Sequence, residues 1–449
     1  MIATFSESLP DEWTEQRLKY AAPLRIERVE ATSEHTSYLG LENIQSWTGK
    51  LLPAENGDSG AEGESEGGTV NSFRHDDVLF GKLRPYLAKA FHANRDGVCS
   101  TELLVLKPRP DMHPRFLLYS FLSPEFVGLV DASTFGAKMP RANWDFIGSM
   151  KIPVPNLDAQ KRIADYLDRE TAHIDPLIAE KQRMLALLEE KRAALISRAV
   201  TRGLTNSLGA NLNAGACDGG PKGEGRDSPS NPDVPLKPSG LDWLGDIPAH
   251  WDMKRAKGLF REIDRRSVTG EEELLSLRMN VGLVPHNDVS DKELEPKDLV
   301  GFKHVEPGQM VINRMRAASG LIAISSRTGL VSPDYAVFEI IESKVNIDYF
   351  LALFTTGLVQ AVFRSSSKGL GTGSSGFLRL YTENFLALHF PFPNQEEQQN
   401  IVDFLRSESE QMSEVEAVLK DSIGLLKERR SALITAAVTG QIDPKERAA

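Results

Sequence analysis

The sequence lacks nearly everything that marks a catalyst, a secreted scaffold or a membrane protein. Its 449 residues include only two cysteines, which excludes a disulfide framework and fits a reducing compartment. No run of 18 or more apolar residues occurs, so no segment reads as a membrane span. The opening MIATFSESLPDEW has no basic stretch followed by an apolar core, so no secretory leader is evident and a cytoplasmic location is expected. There is no Gly-x-x-x-x-Gly-Lys-Ser/Thr phosphate loop, no Asn-Pro-Pro-aromatic motif and no Gly-rich methyltransferase motif. Gly369-Leu370-Gly371-Thr372-Gly373 neither leaves a clear strand nor opens a helix and reads as a long loop; Glu295-Pro296-Lys297 reads as a turn. The nine histidines show no paired ligand spacing. The expectation is a non-enzyme with no cofactor and no metal.

A positive surplus is missing as well. Lys and Arg number 52 against 63 acids, a net charge of −11, which on its face argues against a polyanionic partner. Five of those acids (Glu55, Asp58, Glu62, Glu64 and Glu66) crowd one Gly/Ser-rich insertion. The average therefore says little about any one face.

What is present is a duplication. The stretch KIPVPNLDAQKRIADYLDRE…LLEEKRAALISRAVT returns as HFPFPNQEEQQNIVDFLRSE…LLKERRSALITAAVT, with Pro153, Pro155, Asn156, Gln160 and Ile163 falling on Pro391, Pro393, Asn394, Gln398 and Ile401. The offset is a constant 238, and Pro10, Trp13 and Arg17 meet Pro248, Trp251 and Arg255 at the same offset. A repeat this long means two copies of one protein, not a solenoid. A weaker echo at an offset of 232 aligns Val78–Arg84 with Met310–Arg316, and places Cys99, read as a small buried hydrophobe, opposite Val331.

The patterning predicts an α+β fold in each half. Val78–Arg84, Met310–Arg316 and the runs around Cys99 and Val331 read as strands, whereas Phe116–Leu122 and Tyr349–Phe354 read as buried helices. The Pro-x-Pro segments read as rigid straps leaving each domain. A short helix should follow and end near His173, because Asp175-Pro176 has the form of an N-cap and first helical residue, and Ser413–Glu416 has the capping-box form at the equivalent place. Long helices are expected over about 176–202 and 414–439, stopped by Gly203 and Gly440. Leu185, Leu188, Arg192, Leu195 and Ala199 make a heptad seam, as do Leu419, Ile423, Leu426, Arg430, Leu433 and Ala437. The seams predict that the two helices pair with each other, which, if the pairing is antiparallel, would relate the halves by a pseudo-twofold axis; the alternative is that each packs on its own domain. A helix of about 27 residues spans roughly 40 Å. Residues 203–238, rich in Gly, Asn, Ser and Pro, read as a flexible linker that includes Cys217.

Basic residues recur at equivalent places. Lys82 and Arg84 match Arg314 and Arg316, and are expected to alternate along a strand and face one side. Lys138 and Arg141 in TFGAKMPRANW have a partial counterpart in Arg379 of GFLRLYTEN, with Lys368 in the loop before it. Such residues suit phosphate contact and, for Arg, bidentate reading of guanine; the alternative is ordinary solvated charge.

With LFGKLRPYLAKAF, STELLVLKP, SGLDWLGDIPAHW, the doubled Pro-x-Pro…Gln…Ile…Leu stretch and LLKERRSALITAAVTGQID, the chain resembles the specificity subunits of type I restriction–modification systems over nearly its whole length. The resemblance implies two target-recognition domains, each reading half of a split double-stranded DNA sequence. It implies an antiparallel coiled coil that spaces them, its roughly 40 Å helices close to the ~34–36 Å of one DNA turn, and that docks two methyltransferase subunits, with restriction subunits joining the complex. S-adenosylmethionine and ATP chemistry would belong to those partners. The implied division is target-recognition domains at 1–152 and 239–390, helical regions at 153–203 and 391–443, and a linker at 204–238. The acidic insertion at 55–68 and the long linker depart from the family pattern. Two rivals remain: a partner of a methyltransferase without nuclease, and a coiled-coil scaffold with no DNA role.

Overall fold

The computed structural model describes residues 9–30, 38–52, 68–136, 138–204, 235–290, 294–370 and 377–442. Most of the acidic insertion, nearly all of the linker with Cys217, and Gly371–Gly373 lie outside the described residues. The chain divides into two compact units, Met1–Met184 with Val418–Ala449, and Leu185–Ala417.

The first unit is built on two small sheets. One orders Arg28–Glu30, Thr69–Phe73, Gly97–Cys99 and Tyr38–Leu39; the other places Val78–Gly81 between Ala90–His92 and Leu103–Leu106. Val78–Gly81 and Leu103–Leu106 are buried along their whole length, which is why they read as continuous apolar runs rather than alternating ones. Helices Pro114–Phe121 and Pro124–Ala132 cover that sheet, and Phe80, Phe121 and Phe126 stack in one cluster with centroids 4.8–5.4 Å apart.

In the second unit Phe260–Ile263, Tyr335–Ile340, Met310–Asn313 and Ile322–Ile324 form one antiparallel sheet in that order. Ile347–Phe354 and Gly357–Ser366 pack on it around Phe260, Phe338, Phe350, Phe354, Phe363 and Phe385. Cys99 and Val331 are both buried at strand ends, as the 232 offset predicts. Among the described residues no single helix is long and apolar enough to cross a membrane.

The duplication is visible in register. Thr14–Arg17 pairs antiparallel with Lys151–Val154, and Asp252–Arg255 pairs with His389–Phe392 in the same register, Thr14 opposite Val154 and Asp252 opposite Phe392. The Pro-x-Pro segments are thus strands of two-stranded ribbons, not free straps. A ribbon edge tolerates a proline that cannot donate.

The long helices differ from the sequence reading. Each is continuous, Leu157–Arg202 over 46 residues and Gln395–Val438 over 44, with no break at His173 and with Pro176 inside the first. The residues expected to cap a new helix are engaged elsewhere. Asp175 accepts hydrogen bonds from Arg430 Nε (2.8 Å) and Lys50 Nζ (2.7 Å). Ser413 Oγ donates to the Ser409 carbonyl (2.7 Å) and accepts from Arg192 Nη2 (3.1 Å), and Glu416 faces Arg192 at 3.6 Å. Tertiary partners outcompete the local cap. At 1.5 Å per residue the first helix rises about 69 Å, so the near match to one DNA turn does not hold for the whole element. Both helices stop where expected, with Gly203 at φ +76 and Gly440 at φ +75.

Within each unit the helices run antiparallel. In the first, Ile163 and Leu167 share a core with Ile434, Ala437 and Val438, while Asp175 meets Arg430. In the second, Ala199 and Val200 share a core with Ile401 and Val402, while Arg192 meets Ser413. Each unit is therefore completed by the end of the other copy's helix: Thr435 Oγ1 donates to Glu125 (2.6 Å), and the Tyr349 hydroxyl to the Val200 carbonyl (2.9 Å).

Candidate nucleic-acid interface

The basic residues cluster where a central strand runs out. In the first unit the strand ends at Gly81, so Lys82 and Arg84 do not alternate along it as expected. Arg84 instead takes a left-handed conformation (φ +51), followed by the turn Pro85–Leu87 and by Ala88 at φ +46. Two such non-glycine residues in one turn are strained backbone, a feature concentrated at binding sites. The strain is held by neighbours: Arg84 N donates to Pro140 O (2.8 Å) and Ala142 N to Lys82 O (2.9 Å). These bonds dock the 135–142 loop, with Lys138 and Arg141, beside the turn. Arg141 is fixed by a two-pronged pair with Glu102 (3.0 and 3.2 Å). Arg84 and Lys138 are exposed and, among the described residues, their side chains make no hydrogen bond or ion pair.

The second unit repeats the plan with different chemistry. Its strand ends at Asn313, so Arg314 and Arg316 also lie beyond it, in a turn. Leu380 N donates to Arg314 O (2.9 Å), the counterpart of the Ala142–Lys82 bond. Arg379 pairs with Asp334 (3.2 Å), as Arg141 pairs with Glu102, and its guanidinium carbon lies 5.6 Å from the Tyr381 ring centre. Lys368 stands exposed opposite Arg379 in the ribbon Lys368–Leu370/Phe377–Arg379.

Arg314 is only 15% exposed and is held by Glu262 and by Thr382 Oγ1 (3.0 Å). Glu262 also receives buried Lys303 (3.1 Å), so Arg314 belongs to an internal charge network. Arg316 is exposed. Burial pushes the nearby Tyr335 phenol up, against a hydrogen bond from Asn313 and the Arg278 and Arg316 charges, which act the other way.

On the helices, Leu185, Leu188, Leu195, Leu419, Leu426 and Leu433 are half-buried and Ile423 is buried. The residues that sequence reasoning passed over are Gln160 and Gln398. Both are buried; Gln160 Nε2 donates to Pro155 O (2.8 Å) and Asp111 O (2.9 Å) while its Oε1 accepts from His113 N (2.7 Å). Gln398 does the same with Pro393 O (2.8 Å), Lys344 O (3.1 Å) and Asn346 N (2.8 Å). Asn156 and Asn394 cap the long helices, accepting from Ala159 N and Glu397 N, each at 2.9 Å. The signal was present, since all four recur at the 238 offset; what was missing was that a matched polar residue can be a buried clamp.

A family model described as the type I restriction modification DNA specificity domain matches residues 60–184 and 285–423, more than half of the chain. The chain belongs to the type I restriction–modification specificity family. The type I restriction enzyme EcoDI specificity subunit of Escherichia coli is 25% identical over 203 residues, 44% of this chain and 44% of that relative, so the match spans less than half of that relative's length. A chain from a solved structure described as the structural basis of complex assembly and conformational transition of the type I R-M system superposes with a TM-score of 0.61 at 18% identity, covering 97% of this chain and all of that one. An HsdS subunit from Thermoanaerobacter tengcongensis matches at a TM-score of 0.45 and 17% identity over 97% of this chain and 98% of its own. The specificity-family match and the doubled turn-and-loop face thus fall on the same two halves of the chain.

Proposed function

We propose that the chain supplies the DNA sequence specificity of a type I restriction–modification complex, each globular domain reading one half of a bipartite duplex target. The carrying observation is the repeated face. In both halves an exposed Arg stands on the turn after the central strand, and the returning segment is braced by a matched Arg–carboxylate pair, Arg141–Glu102 or Arg379–Asp334. Bracing leaves Arg84 and Arg316 as the projecting readers, while Lys138 and Lys368 suit phosphates. Such a face answers the objection from net charge, because binding depends on the local field.

The chain contributes no catalytic group in this reading; methylation and cleavage belong to partner subunits. The target-recognition domains are assigned to 1–152 and 239–390. The long helices dock two methyltransferase subunits, with restriction subunits joining through the complex. Supporting that role, Leu177 and Val415, and Leu187 and Leu425, are exposed apolar pairs at equivalent places of the duplication. In the assembled complex, Arg84→Ala or Arg316→Ala should each cost about 1–3 kcal/mol in target binding, and Lys138→Ala or Lys368→Ala should lower the salt slope by about one. Titration of labelled duplex at several salt concentrations measures both. Unaltered binding in all four variants would favour a scaffold without DNA role.

A further inference from the structure

The loop that carries Lys138 and Arg141 also carries an apolar tip. Phe135 and Arg141 exchange backbone hydrogen bonds (3.3 and 3.2 Å), closing the loop, which turns at Gly136 with φ +94. Phe135 is nevertheless 64% exposed, Met139 50%, and Tyr86 on the adjoining turn 45%. The Arg84–Pro140 and Ala142–Lys82 backbone bonds fix the two segments to each other. Three large apolar side chains therefore stand in water on the same braced segments as Arg84, Lys138 and Arg141. Large apolar side chains gathered on adjoining segments are a mark of interaction sites. Duplex DNA matches both components: phosphates for the cations, and a base stack for a ring that can be inserted as a wedge.

We propose that Phe135 enters the DNA base stack as an aromatic wedge at the half-site read by the first unit, flanked by Met139 and Tyr86. The proposal rests on the DNA-reading assignment above and adds to it a residue that selects by deformability. A flexible step would accept the wedge more readily than a stiff one. The wedge is assigned to the first unit, because at the 238 offset Phe135 falls on Gly373, which has no side chain to insert.

The test uses the full chain assembled with its methyltransferase subunits, on target duplexes carrying 2-aminopurine at each unmethylated adenine in turn. The unmodified complex should show a fluorescence increase in the half-site weakened by Arg84→Ala and none in the half-site weakened by Arg316→Ala. Phe135→Ala should abolish that increase and lower affinity about tenfold with an unchanged salt slope, while Phe135→Trp retains both. If Phe135→Ala leaves fluorescence and affinity unaltered, or weakens subunit assembly while DNA binding stays intact, the wedge is overturned. Arg84→Ala and Arg316→Ala both without effect would instead overturn the DNA-reading assignment beneath it.

Discussion

Gln160 and Gln398 show what a matched residue can mean when it does not touch a partner molecule. Each amide ties three backbone groups together: the carbonyl that follows the Pro-x-Pro strand, and a carbonyl and an N–H of the segment leading into a core helix. Gln160→Leu leaves those groups buried and unpaired, so it should destabilise the first unit on the order of 3 kcal/mol, and Gln398→Leu the second alike. Urea unfolding followed by hydrogen exchange would assign each loss to its unit. The duplicated pair at Arg430 and Arg192 is informative in the other direction. Arg430, 7% exposed, meets Asp175 and the Trp47 carbonyl, whereas Arg192, 32% exposed, meets Ser413 and Glu416. Arg430→Met should therefore cost about 3 kcal/mol or more, and Arg192→Met no more than about 1 kcal/mol. Equal losses in calorimetry would contradict this account of the two sites. At this scale the sequence showed which residues matter by recurrence, but not why. Lys82, Arg84, Arg314 and Arg316 look alike in a string, and only the fold distinguishes projecting Arg84 and Arg316 from Arg314, held by Glu262.

Among the elements, the strands and core helices were legible because burial leaves continuous apolar runs such as Val78–Gly81 and Tyr349–Phe354. The long helices were legible in their seams and their glycine stops, not in their starts. Asp175-Pro176 and Ser413–Glu416 carry genuine capping chemistry, and a single-sequence reading has no access to Arg430 and Arg192, which claim those side chains from across the helix pair. Pro176→Ala discriminates the two descriptions. In a continuous helix it restores a main-chain donor and should stabilise by about 1–3 kcal/mol. Were Pro176 the first residue of a new helix, the same change would be neutral or unfavourable, because proline is preorganised there. Equilibrium unfolding in urea, with an unchanged m-value, reads the sign.

At the scale of the whole chain, the duplication, the α+β character of each half and the pairing of the long helices follow from the 238-residue offset, the apolar patterning and the heptad seams. The exchange of helix ends does not. Ala199 and Val200 complete the core of the second unit, and Ile434, Ala437 and Val438 that of the first, an arrangement no periodicity encodes. The physical reason is that a seam specifies an apolar stripe and leaves open which domain the last turn of that stripe will cover. The exchange makes each unit depend on both copies, which suits the proposed reading of one target by two domains. Its central claim, two separate readers on one chain, is tested most directly by methylome sequencing of cells expressing the chain with its methyltransferase partner, beside Arg84→Ala and Arg316→Ala versions. The account predicts a split motif with methyladenine in each half, one half relaxed by Arg84→Ala and the other by Arg316→Ala. A continuous motif, or both substitutions relaxing the same half, would contradict it.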